Sequence, residues 1–282
     1  MKHSWILFVI IYGLLKGSRE GMKKAAFKKS SSNEILFFYT LIGFLLVTPG
    51  IGEALKTPPI FIFWSFVKAL VVSVAWIFSF KALRKMSVSM YGIMDLSRMV
   101  FSTLLGVFVL GELFTVRKGI GLLLVLTGLF MVNMKKSTEN SKMSLSVLTA
   151  ALLNCFLNSI SGTMDKILMK DMTSAQLQFW FMLFSAIIYG IILIMCKEKV
   201  SIKCLKNNFW IPLLALSLIV GDKLLFEANA NPHSQVTLMT IIKQCSVLVT
   251  VLTGWLIYKE KNIPYKLMCT GIVLSGIFIA VL

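Results

Sequence analysis

Charge is scarce in this sequence of 282 residues: 15% of its side chains are Asp, Glu, Lys or Arg, and only 12 are acidic. Soluble domains carry about a quarter charged residues. With 57% hydrophobic residues and a mean hydropathy of +0.83, too little polar surface exists to cover a soluble fold. A soluble enzyme, a disulfide-rich secreted module and a disordered chain are thereby excluded. Histidine is nearly missing as well, and His3 and His233 have no metal ligands nearby in sequence. The five cysteines (Cys155, Cys196, Cys204, Cys245, Cys269) are odd in number and lack zinc-ligand spacing, so they read as small packing hydrophobes. There is no Gly-rich phosphate loop, no His and carboxylate paired on a helix face, and no Ser or Cys beside a base. The expectation is a protein that is not an enzyme and has no cofactor and no metal.

What the chain does have is apolar runs. A helix needs about 20 residues to cross the hydrocarbon core, and runs of that order lie at 4–24, 35–52, 59–80, 88–110, 117–134, 144–169, 176–196, 209–230, 236–258 and 264–282. The first resembles a signal peptide but lacks a small-x-small cleavage site, so it is expected to be a retained helix with a polar second half. The formal charge of +17 would suggest nucleic acid in a soluble protein. Here the basic residues fill short connections, where the positive-inside rule and anionic headgroups explain them. Membrane lipids, not nucleic acid, are the expected partners.

The chain also repeats itself. Shifted by 148 residues, 78–130 lies on 226–278 without gaps, matching Phe78/Phe226, Val88/Val236, Gly106/Gly254, Gly128/Gly276 and, among polar positions, Glu112/Glu260 and Lys118/Lys266. A shift of 142 extends the match through Lys24/Lys166, Lys28/Lys170, Ser32/Ser174 and Phe37/Phe179. Each half then holds five helices. Because five is odd, two copies in one chain have opposite orientations, the inverted-repeat plan of secondary transporters. The expected fold is an all-α membrane protein of ten transmembrane helices in two inverted five-helix repeats, 1–138 and 139–282.

The segments Leu110-Gly111-Glu112-Leu113-Phe114-Thr115 with Gly119 to Gly128, and Tyr258-Lys259-Glu260-Lys261 with Gly271 to Gly276, carry a resemblance. Together with Phe80-Lys81-Ala82-Leu83 and Gly17…Lys24, they resemble the EamA-type branch of the drug/metabolite transporter superfamily. The resemblance spans essentially the whole chain and implies a central cavity formed by helices three, four, eight and nine. The second half departs from the family pattern, with Lys259 where a Gly usually precedes Glu260 and Asn229-Ala230-Asn231-Pro232 in place of an Ala-Leu turn.

An ionisable residue deep in a bilayer costs several kcal/mol unless paired or hydrated, so each one is a candidate. Ser87, Tyr91, Asp95, Arg98 and Ser102 form one polar stripe on the fourth helix. The equivalents on the ninth are Gln235, Met239, Lys243, Ser246 and Thr250, so Asp95 maps onto Lys243. Asp95, Arg98 and Lys243 are expected either to line the cavity or to form an ion-pair network between the halves. Gln244, beside Lys243, joins them, and Trp76 and Tyr91 could flank an apolar part of a substrate. On the eighth helix Asp222 is deep, whereas Lys223 and Glu227 are spaced for a local salt bridge. Asp222 and Glu227 are candidates for coupling to an ion. Asn154, Asn158, Ser161 and Asp165 stripe the sixth helix and read as interhelical hydrogen-bonding groups. Glu112 and Glu260 read as helix-end caps, and the glycines of helices five and ten as close-packing sites inside the chain, or as a homodimer face.

These features predict a secondary transporter of the plasma membrane (the inner one of a bacterium) that moves a small polar or amphipathic metabolite, an amino acid or related compound, by alternating access. A flippase for lipid-linked sugars or headgroups, or a membrane scaffold or sensor, are the alternatives. Orientation is contradictory. Lys and Arg crowd the connections after odd-numbered helices, which puts both termini outside; the family resemblance puts both in the cytoplasm.

Overall fold

The fold comes from a computed structural model that describes residues 4–110, 113–134, 144–198, 205, 207–230 and 242–281. Glu112, Lys135, Lys136, Cys204, Pro232, Gln235 and Met239 lie outside the described residues, as do both histidines. The described residues form helices α1 (Ser4–Ala26), α2 (Ser32–Val47), α3 (Ile51–Ala54), α4 (Pro59–Lys85), α5 (Val88–Asp95), α6 (Arg98–Leu110), α7 (Val116–Met134), α8 (Leu145–Leu168), α9 (Ser174–Met195), α10 (Trp210–Ala230), α11 (Ser246–Leu256) and α12 (Ile263–Val281), with no strand among them.

Local chemistry explains where these helices begin. Ser31 and Glu34 close a capping box on α2, and Thr173 and Gln176 close the same box on α9. In each, the hydroxyl accepts an otherwise orphaned amide while the side chain three residues on accepts the cap amide. The two boxes are 142 residues apart, the offset of the repeat. Pro58 and Pro59 start α4, where a missing N–H leaves nothing unsatisfied.

The packing pattern is unchanged when the halves are exchanged. α1 lies on α10 as α8 lies on α4; α10 contacts α2 as α4 contacts α9; α6 contacts α8 as α11 contacts α1. Of the remaining principal contacts, two join equivalent helices to each other, α2 to α9 and α7 to α12, and a third joins α5 to α11, the equivalent of α6. All three of these pairs run antiparallel. Gly43 meets Met182 while Gly190 meets Phe37; Gly92 meets Thr250 while Gly254 meets Ser89; Gly128 meets Cys269 and Val273 while Gly121 meets Gly276 and Ala280. Equivalent helices pointing opposite ways are what an inverted repeat requires. At the α7–α12 seam a Cβ on Gly276 would sit 2.6 Å from the Gly121 carbonyl oxygen. Gly121, Gly128 and Gly276 therefore pack inside the chain, backbone against backbone, whereas Gly271 faces open space.

Among the described residues, six helical stretches are long and apolar enough to cross a membrane: 32–54, 59–85, 88–109, 145–165, 174–195 and 263–280. α1 and α10 carry more charge than such a span usually tolerates, Lys16, Arg19, Glu20, Lys23 and Lys24 on the first and Asp222, Lys223 and Glu227 on the second. The protein is a multi-pass integral membrane protein.

The fourth apolar run departs from expectation. It is not one helix but α5 and α6, interrupted at Leu96–Ser97, where three-residue-spaced hydrogen bonds (Leu96 to Ile93, Ser97 to Met94, Met99 to Leu96) replace the α pattern. The 242–256 stretch breaks at Cys245, the position equivalent to Ser97. Neither break contains Gly or Pro. Consequently the stripe from Ser87 to Ser102 is not continuous: Ser102 turns away to donate to Ser159 of α8 at 3.2 Å.

Candidate functional site

Where the two halves meet, they enclose a cavity of about 270 Å³ lined by α1, α2, α4, α5, α8, α9 and α10, Arg98 at the start of α6, and Lys243. Its walls follow from helical spacing. On α1, Tyr12, Lys16, Arg19 and Lys23 recur at steps of four, three and four and so share one face. On α8, Asn154, Asn158, Ser161 and Asp165 repeat those steps 142 residues later, and all eight side chains line the cavity. From Tyr12 to Lys23 the wall runs about 16 Å along the helix axis at 1.5 Å per residue.

The charged lining is organised by ion pairs. Lys68 reaches Asp165 at 2.6 Å and lies 4.4 Å from the centre of the Phe181 ring, so α4 supplies a cation that α8 neutralises and α9 shields. Lys23 bonds Glu20 at 2.8 Å. Asp95, at the end of α5, is shared by Lys16 at 3.5 Å and Arg98 at 3.7 Å. Asp95 and Lys243 each stand two residues before their helix break, at Ser97 and Cys245. Arg19 lies over the Tyr12 ring at 5.9 Å. Asp222 lines the cavity and makes no ion pair with a described residue. Four lining atoms are buried without a hydrogen-bond partner among the described residues: Asp165 Oδ1, which has the Lys68 ion pair instead, and Glu20 Oε2, Arg98 Nε and Gln178 Nε2. Buried polar atoms are normally satisfied, so the last three mark places where a ligand or water completes the site.

An uncharged network forms one wall. The Ser79 and Tyr91 hydroxyls share a hydrogen bond of 2.6 Å, Asn154 donates to Tyr91 at 3.2 Å, and Asn158 donates to the Asn154 carboxamide oxygen at 2.7 Å. Beside it Trp76 contacts Tyr39 and Phe181, with ring centres 5.3 and 6.0 Å apart.

Of the residues singled out from sequence, Asp95, Arg98, Lys243, Tyr91, Trp76 and Asp222 come together in this cavity. Gln244 lines a smaller adjoining pocket with Lys16, Glu20 and Asp95. Glu227 is exposed and stands apart from the lining, and no ion pair links it to Lys223, also exposed. The α8 stripe lines the cavity besides making hydrogen bonds. Sequence reasoning passed over Lys16, Arg19, Glu20 and Lys23, taken for a polar helix end, and Lys68, a single cation in an apolar run. Applying the 142-residue shift to the α8 stripe would have found the α1 face.

One end of the assembly is tied shut around the corner from α4 to α5. Lys24 donates to the carbonyls of Leu83, Arg84 and Met86 at 2.8, 3.1 and 2.7 Å, a cation at the negative end of α4. From the other half, Glu260 accepts the amides of Val88 and Ser89 at 2.6 and 3.2 Å, and also the Ser89 hydroxyl. A carboxylate thus caps the positive end of α5. Lys266 pairs with Glu260 at 2.9 Å. Lys259, at the family's Gly position, has φ 51°, the left-handed conformation that glycine adopts without strain.

Comparison with known proteins agrees with this architecture. The family model of the EamA-like transporters matches twice, over residues 3–134 and 145–282. One solved crystal structure superposes on 99% of this chain and 97% of its own, with a TM-score of 0.69 at 15% identity, and so shares the fold. Among curated proteins none matches. The double match, each copy covering one half of an all-helical membrane fold, places the chain in the EamA-like transporter family of the drug/metabolite transporter superfamily.

Proposed function

We propose that the protein is a ten-span secondary transporter, built from halves 1–138 and 139–282, that carries a small polar or amphipathic metabolite across the plasma membrane by rocking the halves about the central cavity. The observation that carries this reading is the cavity itself. It lies where antiparallel equivalents meet, it is flanked by both helix breaks, and ten Asp, Glu, Lys or Arg residues line it. Transporters place substrate at discontinuous helices for a physical reason: helix ends expose unpaired backbone groups and a partial charge. A packed scaffold would have paired every internal charge, whereas here Arg98 and Glu20 retain unpartnered buried atoms. In this reading Asp95, Arg98 and Lys243 hold polar groups of the substrate, Trp76 and Tyr91 flank its apolar part, and Asp222 is the coupling carboxylate. No ATP-binding motif is present in the sequence, so transport is facilitated, exchange-type or ion-coupled.

The test is uptake into vesicles or cells, with candidate metabolites first sorted by thermal shift of the purified protein. Asp95→Ala and Lys243→Ala are each expected to lower the rate at least about tenfold, the scale of one charge-assisted hydrogen bond. Unchanged transport in both would overturn the assignment. A reporter fused to the C-terminus settles which side the Lys-rich connections face.

A further inference from the structure

The cavity's charges do not cancel. Six cations (Lys16, Arg19, Lys23, Lys68, Arg98, Lys243) face four carboxylates (Glu20, Asp95, Asp165, Asp222). Setting Lys243 aside, five still face four. Arg19, over the Tyr12 ring, and Asp222 are one cation and one carboxylate, neither in an ion pair with a described residue, so the surplus falls among the others. Lys68–Asp165 and Lys23–Glu20 close at 2.6 and 2.8 Å, the range of charge-assisted bonds. Lys16 and Arg98 stand off at 3.5 and 3.7 Å on either side of the one carboxylate of Asp95, and Arg98 Nε has no partner among the described residues. Two cations divide one carboxylate, and neither is fully satisfied. An uncompensated buried charge is costly, so a site keeping one is arranged for a counter-charge that arrives from outside.

From this we infer that the cavity takes an organic anion, a carboxylate or phosphate ester with an apolar or aromatic body. The head sits between Lys16 and Arg98 at the α5–α6 break, and the body lies against the Tyr39–Trp76–Phe181 cluster. This deepens the reading of the cavity as the substrate site and rests on it. Arginine suits such a head because its fork meets two oxygens of a carboxylate or phosphate at once. The aromatic cluster gives the body a flat apolar wall, and a cavity of about 270 Å³ restricts it to a small molecule. A cationic amine finds three of the four lining carboxylates, Glu20, Asp95 and Asp165, already engaged, with Asp222 alone outside an ion pair among the described residues.

The experiment uses the full chain purified in an uncharged detergent and four ring-bearing probes of similar size: 3-phenylpropionate, phenyl phosphate, phenylalanine and phenethylamine. Thermal unfolding is followed as each is titrated. The anions are expected to raise the midpoint at lower concentration than phenylalanine, and phenethylamine is expected not to raise it. Which of the two anions acts at lower concentration separates a carboxylate site from a phosphate site. Arg98→Gln and Lys16→Gln should each weaken the anion effect at least about tenfold, and Lys56→Gln, on an exposed connection, should leave it unchanged. If Arg98→Gln does not fold, Lys16→Gln carries the comparison. The inference is overturned if phenethylamine or phenylalanine stabilises best, if neither cavity variant changes the anion response, or if no anion shifts the midpoint up to its solubility limit. The parent reading has its own check: Gly162→Cys, a lining position with open space for a side chain, should react with a membrane-impermeant thiol reagent in cells, above the wild-type background. Labelling without an anion response removes only the anion inference, whereas absence of labelling removes the cavity as a solvent-accessible path.

Discussion

Glu260 ties the head of α5 to the second half of the chain through buried hydrogen bonds and an ion pair, and its removal should destabilise the fold. It is 8% exposed, as is its partner Lys266. Glu260→Ala removes the acceptor of two α5 amides and of the Ser89 hydroxyl, and leaves the Lys266 ammonium buried without its carboxylate. Breaking a buried pair from one side costs about 3–5 kcal/mol, because the surviving charge is uncompensated; the lost helix cap accounts for about 1 kcal/mol of this. Glu260→Gln keeps one acceptor and the shape, and should cost about 1.5–3 kcal/mol. Removing both charges, in Glu260→Ala with Lys266→Met, should recover about 1–2 kcal/mol relative to Glu260→Ala alone. Equilibrium denaturant unfolding in detergent, followed by helical circular dichroism, measures these three and Lys266→Met alone. If Glu260→Ala loses less than about 1 kcal/mol, or if the double variant equals the sum of the singles, the capping-and-pairing argument fails.

Lys24→Met strips the carbonyls of Leu83, Arg84 and Met86, at and just past the end of α4, of their donor and should lower stability by about 1.5–3 kcal/mol in the same assay. Lys259→Gly should raise it by about 0.5–1 kcal/mol, since the residue already holds φ 51°. Gly276→Leu should destabilise by at least about 3 kcal/mol or prevent folding, because its Cβ meets backbone of α7 that cannot yield; retention of the wild-type midpoint would count against the seam. Tyr91→Phe interrupts the Ser79–Tyr91–Asn154 chain and should cost about 1–3 kcal/mol through the partners left unsatisfied.

The sequence made the architecture legible because hydrophobic runs and a ratio-preserving repeat are one-dimensional signals. The capping boxes at Ser31 and Thr173, 142 residues apart, show that the repeat extends to the hydrogen bonds that start a helix. Asp95, Arg98 and Asp222 were legible as candidates because each is an ionisable group deep in an apolar run. Lys68 was not, since its reason for burial is Asp165, 97 residues away on another helix. The α1 face was hidden differently: Lys16 to Lys24 in sequence looks like a helix leaving the membrane, and only the packing of α1 against α10 and α11 turns that segment inward. The helix breaks at Leu96–Ser97 and Cys245 had no Gly or Pro to announce them. What the sequence could not supply was depth, because depth belongs to pairs of helices.

The cap on α5 also sets a timetable for the chain's manufacture. Val88 and its acceptor Glu260 are separated by 172 residues, and ribosomes add about 5–20 residues per second. The first half must therefore reside in or near the bilayer for about 9–35 s with two amides at the head of α5 awaiting a carboxylate not yet made. Asn208, which donates to the Ala26 carbonyl and the Ser30 hydroxyl, imposes a similar delay on the turn between α1 and α2. Insertion thus runs well ahead of consolidation. The nascent amino-terminal half is the stage at which quality-control proteases and insertion factors would find the chain most open to them.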